Sequence, residues 1–177
     1  MELKETMLLS EQVFSGSIIT VCQDQIELPN GRKTKRDVVL HPGAAAIVPV
    51  TKAGKLVLVR QYRYPVQTVL LEIPAGKLDQ GESPEVCARR ELEEETGFQA
   101  GTLTKLTAIY TAPGFSNEII HIYLAQELTK TKQQLDSDEF LNVEEYSREQ
   151  VQAMIRSGEI CDAKSITGIM LAESLLR

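Results

Sequence analysis

No stretch of this 177-residue sequence approaches the roughly 18 consecutive apolar residues that would carry a helix across a bilayer. The first ten residues, Met1 to Ser10, lack the basic start and apolar run of a secretory signal, so a cytoplasmic location is expected. Cysteine is scarce. Cys22, Cys87 and Cys161 stand far apart with no second cysteine or histidine at ligand spacing, which excludes a disulfide framework and a zinc site. All three are expected to be small buried or half-buried residues. Basic charge is in deficit, with 19 Lys and Arg against 25 Asp and Glu and a net charge of -6. A chain without a basic face is not built to follow a nucleic-acid backbone, so neither nucleic acid nor a membrane is expected as a partner. An anionic substrate would need local cations to recruit it. No internal repeat or low-complexity tract is present.

What remains is the composition of an ordinary globular domain, 42% apolar and 25% charged, long enough for one main core. Val13 to Leu28 is rich in β-branched and apolar residues, and Pro29-Asn30-Gly31 marks a turn before Thr34 to Leu40, which reads as an N-terminal β-hairpin segment. Ala44 to Val50 and Leu56 to Tyr64 are two further strand-like runs. The short loop between them, with Gly54, predicts an antiparallel pair. Val69 to Ile73 is a short apolar stretch stopped by Pro74. Ser83 as N-cap, Pro84 at the first helical position and Gly97 past the end predict a helix over about 84–96. Leu103 to Thr111 and Ile119 to Ala125 read as strands. Ser147 with Gln150 forms a capping box before Val151 to Ser157, and Asp162 caps a last helix over Ser165 to Leu176. Hairpin-forming strands with helices inserted between and after them indicate an α+β fold with a mixed sheet.

The 84–96 helix carries a penalty. Glu91, Glu94 and Glu95 are three and four residues apart and share one face, whereas Glu93 points elsewhere. Like charges at this spacing repel by a few tenths of a kcal/mol per pair. They also sit in the last turns, where the helix dipole disfavours anions. A solvated acidic face with Arg90 pairing to Glu94 is one reading. The other is a cation site, because carboxylates on one rigid turn can hold a hard divalent cation and leave coordination positions for substrate phosphates.

Gly76, five residues, Glu82, seven residues, then Arg90-Glu91-Leu92-Glu93-Glu94-Glu95-Thr96-Gly97-Phe98 resembles the Nudix box at every constrained position. The chance occurrence of that pattern in a chain of this length is on the order of 10⁻⁷. The resemblance implies the Nudix fold, a mixed sheet sandwiched between helices, and hydrolysis of a nucleoside diphosphate linked to a second group. It also implies Mg²⁺, with Mn²⁺ as a substitute, held by Glu91, Glu94 and Glu95 and the backbone carbonyl of Ala75. Glu91 and Glu95 thereby become catalytic, Glu82 and Arg90 supporting residues, and Gly76 and Gly97 structural.

Pro113 lies fifteen residues after Phe98 and resembles the marker of the ADP-ribose pyrophosphatase subfamily. Gln61-Tyr62-Arg63-Tyr64, Leu71-Glu72-Ile73-Pro74-Ala75-Gly76 and Asp138-Glu139-Phe140-Leu141 resemble it too. That similarity implies ADP-ribose, or a close nucleoside diphosphate sugar, as substrate, with AMP and ribose 5-phosphate as products. It implies Glu139 as the base that activates water, with Asp136, Asp138, Glu144 and Glu145 as neighbouring competitors. Arg63 is expected to engage phosphate, a surface ion pair being its alternative. The resembling enzymes are homodimers whose N-terminal strands complete the partner's pocket, so residues 1–42 are expected to form a dimerisation segment ahead of a catalytic domain over 43–177. Arg36 and Ile18 would then be substrate-binding residues. Ser17, Ile18 and Ile19 follow Gly16 where those enzymes often carry an aromatic residue that stacks on adenine. Tyr62 and Phe115 are expected to be packing residues. A Nudix hydrolase of another nucleoside diphosphate derivative, such as a dinucleoside polyphosphate, or of an oxidised nucleotide is the second enzyme reading. A Nudix-fold sensor that binds ADP-ribose without hydrolysing it, which would usually need a DNA-binding module, is the reading from another class.

Overall fold

The computed structural model describes residues 2–176. Twelve strands are present among them: β1 (Thr6–Ser15), β2 (Thr20–Glu27), β3 (Lys33–Leu40), β4 (Ala44–Pro49), β5 (Leu56–Arg63), β6 (Thr68–Glu72), β7 (Ala75–Lys77), β8 (Phe98–Gln99), β9 (Thr102–Tyr110), β10 (Ile119–Gln126), β11 (Thr129–Lys130) and β12 (Leu141–Tyr146). Three α-helices join them: α1 (Pro84–Thr96), α2 (Arg148–Ser157) and α3 (Ala163–Glu173). The chain forms two compact units, one of residues up to Gly43 with Tyr110–Ile119, the other of Ala44–Ile109 with Ile120–Arg177.

In the first unit β1, β2 and β3 form an antiparallel meander in that order. Every residue of β1 is exposed, and the strand is bulged between Met7 and Leu9 and between Gln12 and Phe14. The 110–119 loop joins this unit through Val39, whose N–H donates to Phe115 O at 2.7 Å and whose carbonyl accepts from Asn117 N at 3.1 Å.

The second unit is a sandwich. One sheet has the order β7-β4-β10-β9 and another β12-β5-β6, with β11-β8 as a small pair. In the first of these, β10 runs parallel to β4 and β7 antiparallel to it, so the sheet is mixed. Since side chains alternate along a strand, β4 feeds two cores. Ala44, Ala46 and Val48 pack with Ile122, Leu124, Val151 and Ile169 on the α2 and α3 side. Ala45 and Ile47 pack with Cys87, Ala88 and Leu92 of α1. Burial on both faces explains the unbroken apolar run Ala44 to Val48.

The expected hairpin of Ala44–Val50 with Leu56–Tyr64 does not form. A single bridge, Val50 to Leu56, joins the two runs, and the chain then crosses into the other sheet. The polar turn has hairpin geometry, with Gly54 N donating to Thr51 O. The reason for the parting is that β4 already has β7 and β10 as neighbours, while β5 takes β6 and β12. The helix expectations hold closely. Ser83 caps α1 at Val86 N and Gly97 ends it at φ 67°, Ser147 and Gln150 form a reciprocal capping box, and Asp162 caps α3 at Ser165 N. Cys22 and Cys87 are buried, but Cys161 is exposed beside the α3 cap and corrects the expectation for it.

Candidate active site

α1 is anchored so that one face of its last turns lies against the β7 strand. Gly76 leaves room for that face, because a Cβ at that position would stand 1.9 Å from Oε1 of Glu91 and displace its carboxylate. The carboxylate of Glu95 accepts from Ala75 N at 3.1 Å. Past the helix, the 131–134 segment supplies donors to the free carbonyls: Gln133 Nε2 to Glu95 O at 2.7 Å, Gln134 N to Glu94 O at 3.0 Å and Thr131 N to Gly97 O at 2.7 Å. Those bonds relieve the helix end that the glutamates burden. Cys87 meets the carbonyls of Gly76 and Lys77 from the same helix, and burial, helped by Glu82 and Glu91, pushes its thiol up to about 12. It is therefore a neutral packing group.

Arg90 gathers the acidic residues. Its guanidinium donates to both oxygens of Glu82 at 2.9 Å, to Glu91 at 2.6 Å and to Glu94 at 3.0 Å. The i,i+4 pair with Glu94 is thus real but is one part of a four-residue cluster. Glu82 also accepts from Asp79 N, and these bonds, Arg90 first, hold its carboxyl down at about 2. Glu93 is apart from the cluster and bonds Gln99 instead.

Glu91 and Glu95 are buried, at 7% and 3% exposure, while the Glu94 side chain is 40% exposed. Burial, then the charge of Glu91, raises Glu95 to about 8, the Ala75 amide only partly offsetting it. Burial also raises Glu91, against the pull of Arg90. Two buried carboxylates that repel each other offer oxygen donors of the kind that suits a hard divalent cation. Among the described residues no three acidic, His or Cys side chains converge as a ready-made cage. Arg90 bridges Glu91 and Glu94 in this state, so those carboxylates would have to turn from it to act as ligands.

Glu139 lies in a turn in which its N–H donates to Asp136 O at 3.0 Å and its carboxylate accepts from Asp136 N at 3.4 Å. Its charge contributes to the raised carboxyls of Glu91 and Glu95, behind burial and nearer charges. Of its competitors, Glu144 is held by Arg60 and Tyr146 and Glu145 faces Lys55 at 4.0 Å. Arg63 makes a bidentate pair with Glu72 at 2.9 and 2.8 Å, and its charge is felt at Glu95. It is thus an ion pair, yet with a buried partner rather than at a free surface. Arg36 is exposed in the first unit and paired to Glu5 at 2.7 Å, and Ile18 is exposed in the turn between β1 and β2. Tyr62 and Phe115, expected to pack, are 54% and 58% exposed.

Sequence reasoning gave no role to Glu72 and Lys164. Glu72 is 1% exposed, and Lys164 Nζ donates to it at 2.5 Å and to the α3 cap Asp162 at 2.9 Å. Burial alone would push Glu72 up, but Arg63 and Lys164 together outweigh it and hold the carboxyl below its ordinary range. Ser165, bonded to Asp162, closes the network onto Ile73 N at 2.9 Å. The one local signal was a charged residue inside the apolar run Val69 to Ile73.

Known proteins resemble the chain over most of its length. Residues 40–166 match the NUDIX domain, and residues 5–39 match the nucleoside diphosphate sugar hydrolase N-terminal domain. The ADP-ribose pyrophosphatase of Bacillus subtilis (strain 168) is 48% identical over 169 residues, covering 94% of this chain and 91% of that protein. A methanol dehydrogenase activator of Bacillus methanolicus is 42% identical over 168 residues, with the same coverage. A crystal structure of an ADP compounds hydrolase superposes with a TM-score of 0.88 at 27% identity, covering 99% of this chain and 96% of that one.

Proposed function

The chain belongs to the Nudix hydrolase family, as a hydrolase of nucleoside diphosphate sugars that works with a divalent cation, and from this premise we propose that it cleaves ADP-ribose with Mg²⁺. Water adds to phosphorus as one phosphorus–oxygen bond of the diphosphate breaks, giving AMP and ribose 5-phosphate. The observation that carries this reading is the buried, mutually repelling pair Glu91 and Glu95 against the β7 strand.

Bound at these carboxylates, the cation would neutralise the diphosphate and polarise the attacking water. Glu91 and Glu95 would hold it, with Glu94 and the Ala75 carbonyl completing the protein's share. Arg90, anchored by Glu82, is the supporting residue that balances the charge of Glu91 and Glu94 on the helix until a cation takes its place at them. Glu139 accepts the proton of the attacking water, a role for which a carboxylate must come within hydrogen-bond reach. Arg63, with Glu72 fixing one edge of its guanidinium, offers its remaining donors to the phosphates.

Residues 1–42 serve to pair two copies of the chain. β1 is an edge strand with Met7, Leu9, Val13 and Phe14 each more than half exposed, an apolar edge of the kind a second copy covers. Arg36 and Ile18 on the same segment would then contact the partner's substrate, the adenine resting on an aliphatic side chain. The decisive experiment incubates purified protein and Mg²⁺ with a panel of nucleoside diphosphate sugars and measures phosphate after coupling to alkaline phosphatase. ADP-ribose should give AMP and ribose 5-phosphate at the highest kcat/KM. Absence of hydrolysis across the panel with both Mg²⁺ and Mn²⁺, or full turnover in excess chelator, would refute the reading.

A further inference from the structure

A second charged network ties the start of α3 to the end of β6. Lys164, in the first turn of α3, is buried, and its Nζ donates to Oε2 of Glu72 at 2.5 Å and to Oδ2 of Asp162 at 2.9 Å. Glu72 is buried too. It accepts from Arg63 with both oxygens, from Nε on Oε1 at 2.9 Å and from Nη2 on Oε2 at 2.8 Å, so Oε2 takes a donor from each of two cations. The neighbouring residues of both elements are joined as well, Ile73 N donating to Ser165 Oγ at 2.9 Å.

Stability does not account for the lysine. The positive end of the helix dipole disfavours a cation in a first turn. A buried ion pair is also often no more stable than apolar residues of the same volume. What the pair does provide is a charged, immobile carboxylate under Arg63, since burial alone would push Glu72 up and Lys164 opposes it.

Arg63 is the exposed end of this chain of contacts. Its side chain is 39% exposed, against 1% for Glu72 and 10% for Lys164. Of the five N–H groups of a guanidinium, the pair with Glu72 takes two, and among the described residues Arg63 bonds no other acceptor. Glu72 is followed by Ile73, Pro74 and then Ala75, whose N–H donates to Glu95 at 3.1 Å, so the anchored strand end runs directly into the carboxylate site.

We propose that the buried Lys164–Glu72 pair is a positioning device for Arg63: Lys164 fixes Glu72, Glu72 fixes one edge of the guanidinium, and the remaining N–H groups are held ready for the diphosphate. Lys164 and Glu72 act through Arg63 and are positioning residues. Fixing an arginine before substrate arrives removes rotamer freedom that binding would otherwise have to remove. The inference rests on the hydrolase reading above, with Arg63 as its phosphate ligand, and adds how that ligand is set.

The test is a double-mutant cycle on kcat/KM for ADP-ribose with Mg²⁺. One arm is Arg63→Met, which removes a charge-assisted bond to phosphate and should lose roughly 10- to 100-fold. The other is Glu72→Gln/Lys164→Met, which keeps the volumes and removes both charges together. It should lose about 3- to 10-fold, the scale of immobilising one long side chain at binding. In the Arg63→Met background the same change should cost less than about twofold, because a positioning device without its arginine has nothing to position. A merely structural pair would give equal losses in both backgrounds. Lys164→Met alone should show the same cycle, so either form decides the matter if the other does not fold, as thermal melting reads. Normal kcat/KM in the folded pair variant, or equal losses with and without Arg63, overturns the inference. A normal Arg63→Met removes the phosphate ligand and overturns it too. A wild type that hydrolyses no nucleoside diphosphate sugar overturns the hydrolase reading itself, an outcome separate from all of these.

Discussion

Replacing Glu95 with Gln separates what the site does for stability from what it does for turnover. The carboxyl is raised to about 8 from 4.5, first by burial and then by Glu91. A group whose folded pKa lies above its unfolded one contributes stability below the unfolded value and loses it as pH rises through the folded one. The metal-free protein should therefore weaken steadily between about pH 4.5 and 8. The full shift is worth on the order of 4 to 5 kcal/mol at most, and relaxation of the buried site brings it to a few kcal/mol. Gln keeps an oxygen for the Ala75 amide and has no charge to bury, so Glu95→Gln should flatten that slope. For a domain of this size a few kcal/mol is roughly 5 to 10 °C in Tm. In excess chelator at pH 8 the variant should melt higher than wild type by about that amount. With Mg²⁺ at about 100 times its Kd the wild type should recover roughly 2.7 kcal/mol, and the variant much less. Its turnover should fall by orders of magnitude. Calorimetry from pH 5 to 9 with and without Mg²⁺, beside steady-state kinetics, reads all three. A metal-free variant no more stable than wild type at pH 8, or one with near-normal turnover, would refute the role given to this carboxylate.

Glu139→Gln should lower kcat by roughly 10²- to 10⁴-fold and leave Mg²⁺-dependent stabilisation intact, since a base can be lost without losing a ligand; an unchanged kcat, with the loss appearing in Asp138→Asn instead, would move the base along the loop. Lys164→Met should destabilise by about 3–5 kcal/mol because it leaves the buried Glu72 under-compensated. Lys55→Met, which removes only an exposed partner of Glu145, should cost less than about 1 kcal/mol. Equal denaturation midpoints for the two would contradict the buried network. Sedimentation at micromolar concentration should give about twice the 19.7 kDa chain mass; a clean monomer with full activity would remove Arg36 and Ile18 from the site.

The features legible in the sequence are those whose causes are local. A helix start at Ser83-Pro84 and stop at Gly97 depend on capping and on one left-handed residue, and the shared face of Glu91, Glu94 and Glu95 depends only on helical period. Gly76 was marked only by the family resemblance, and what it makes room for, the Glu91 carboxylate 1.9 Å from where a Cβ would stand, is visible only once α1 docks on β7. Sheet pairing was not local. Ala44–Val50 and Leu56–Tyr64 looked like a hairpin because the turn between them is one, yet competition from β10, seventy residues on, draws β4 into another sheet. Charge pairing was not local either. Arg63 looked like a free phosphate ligand or a surface pair until folding brought Glu72 beside it and Lys164, 92 residues away, onto Glu72. Burial is likewise a tertiary property: it left Tyr62 and Cys161 exposed, and it left the Gln61 amide without a partner. Sequence alone determined which residues can carry the chemistry, because local spacing fixes helical caps and faces. Only the tertiary structure decided which charges are paired, which are buried and which polar atoms are left without a partner among the described residues, because those depend on neighbours that chain order does not specify.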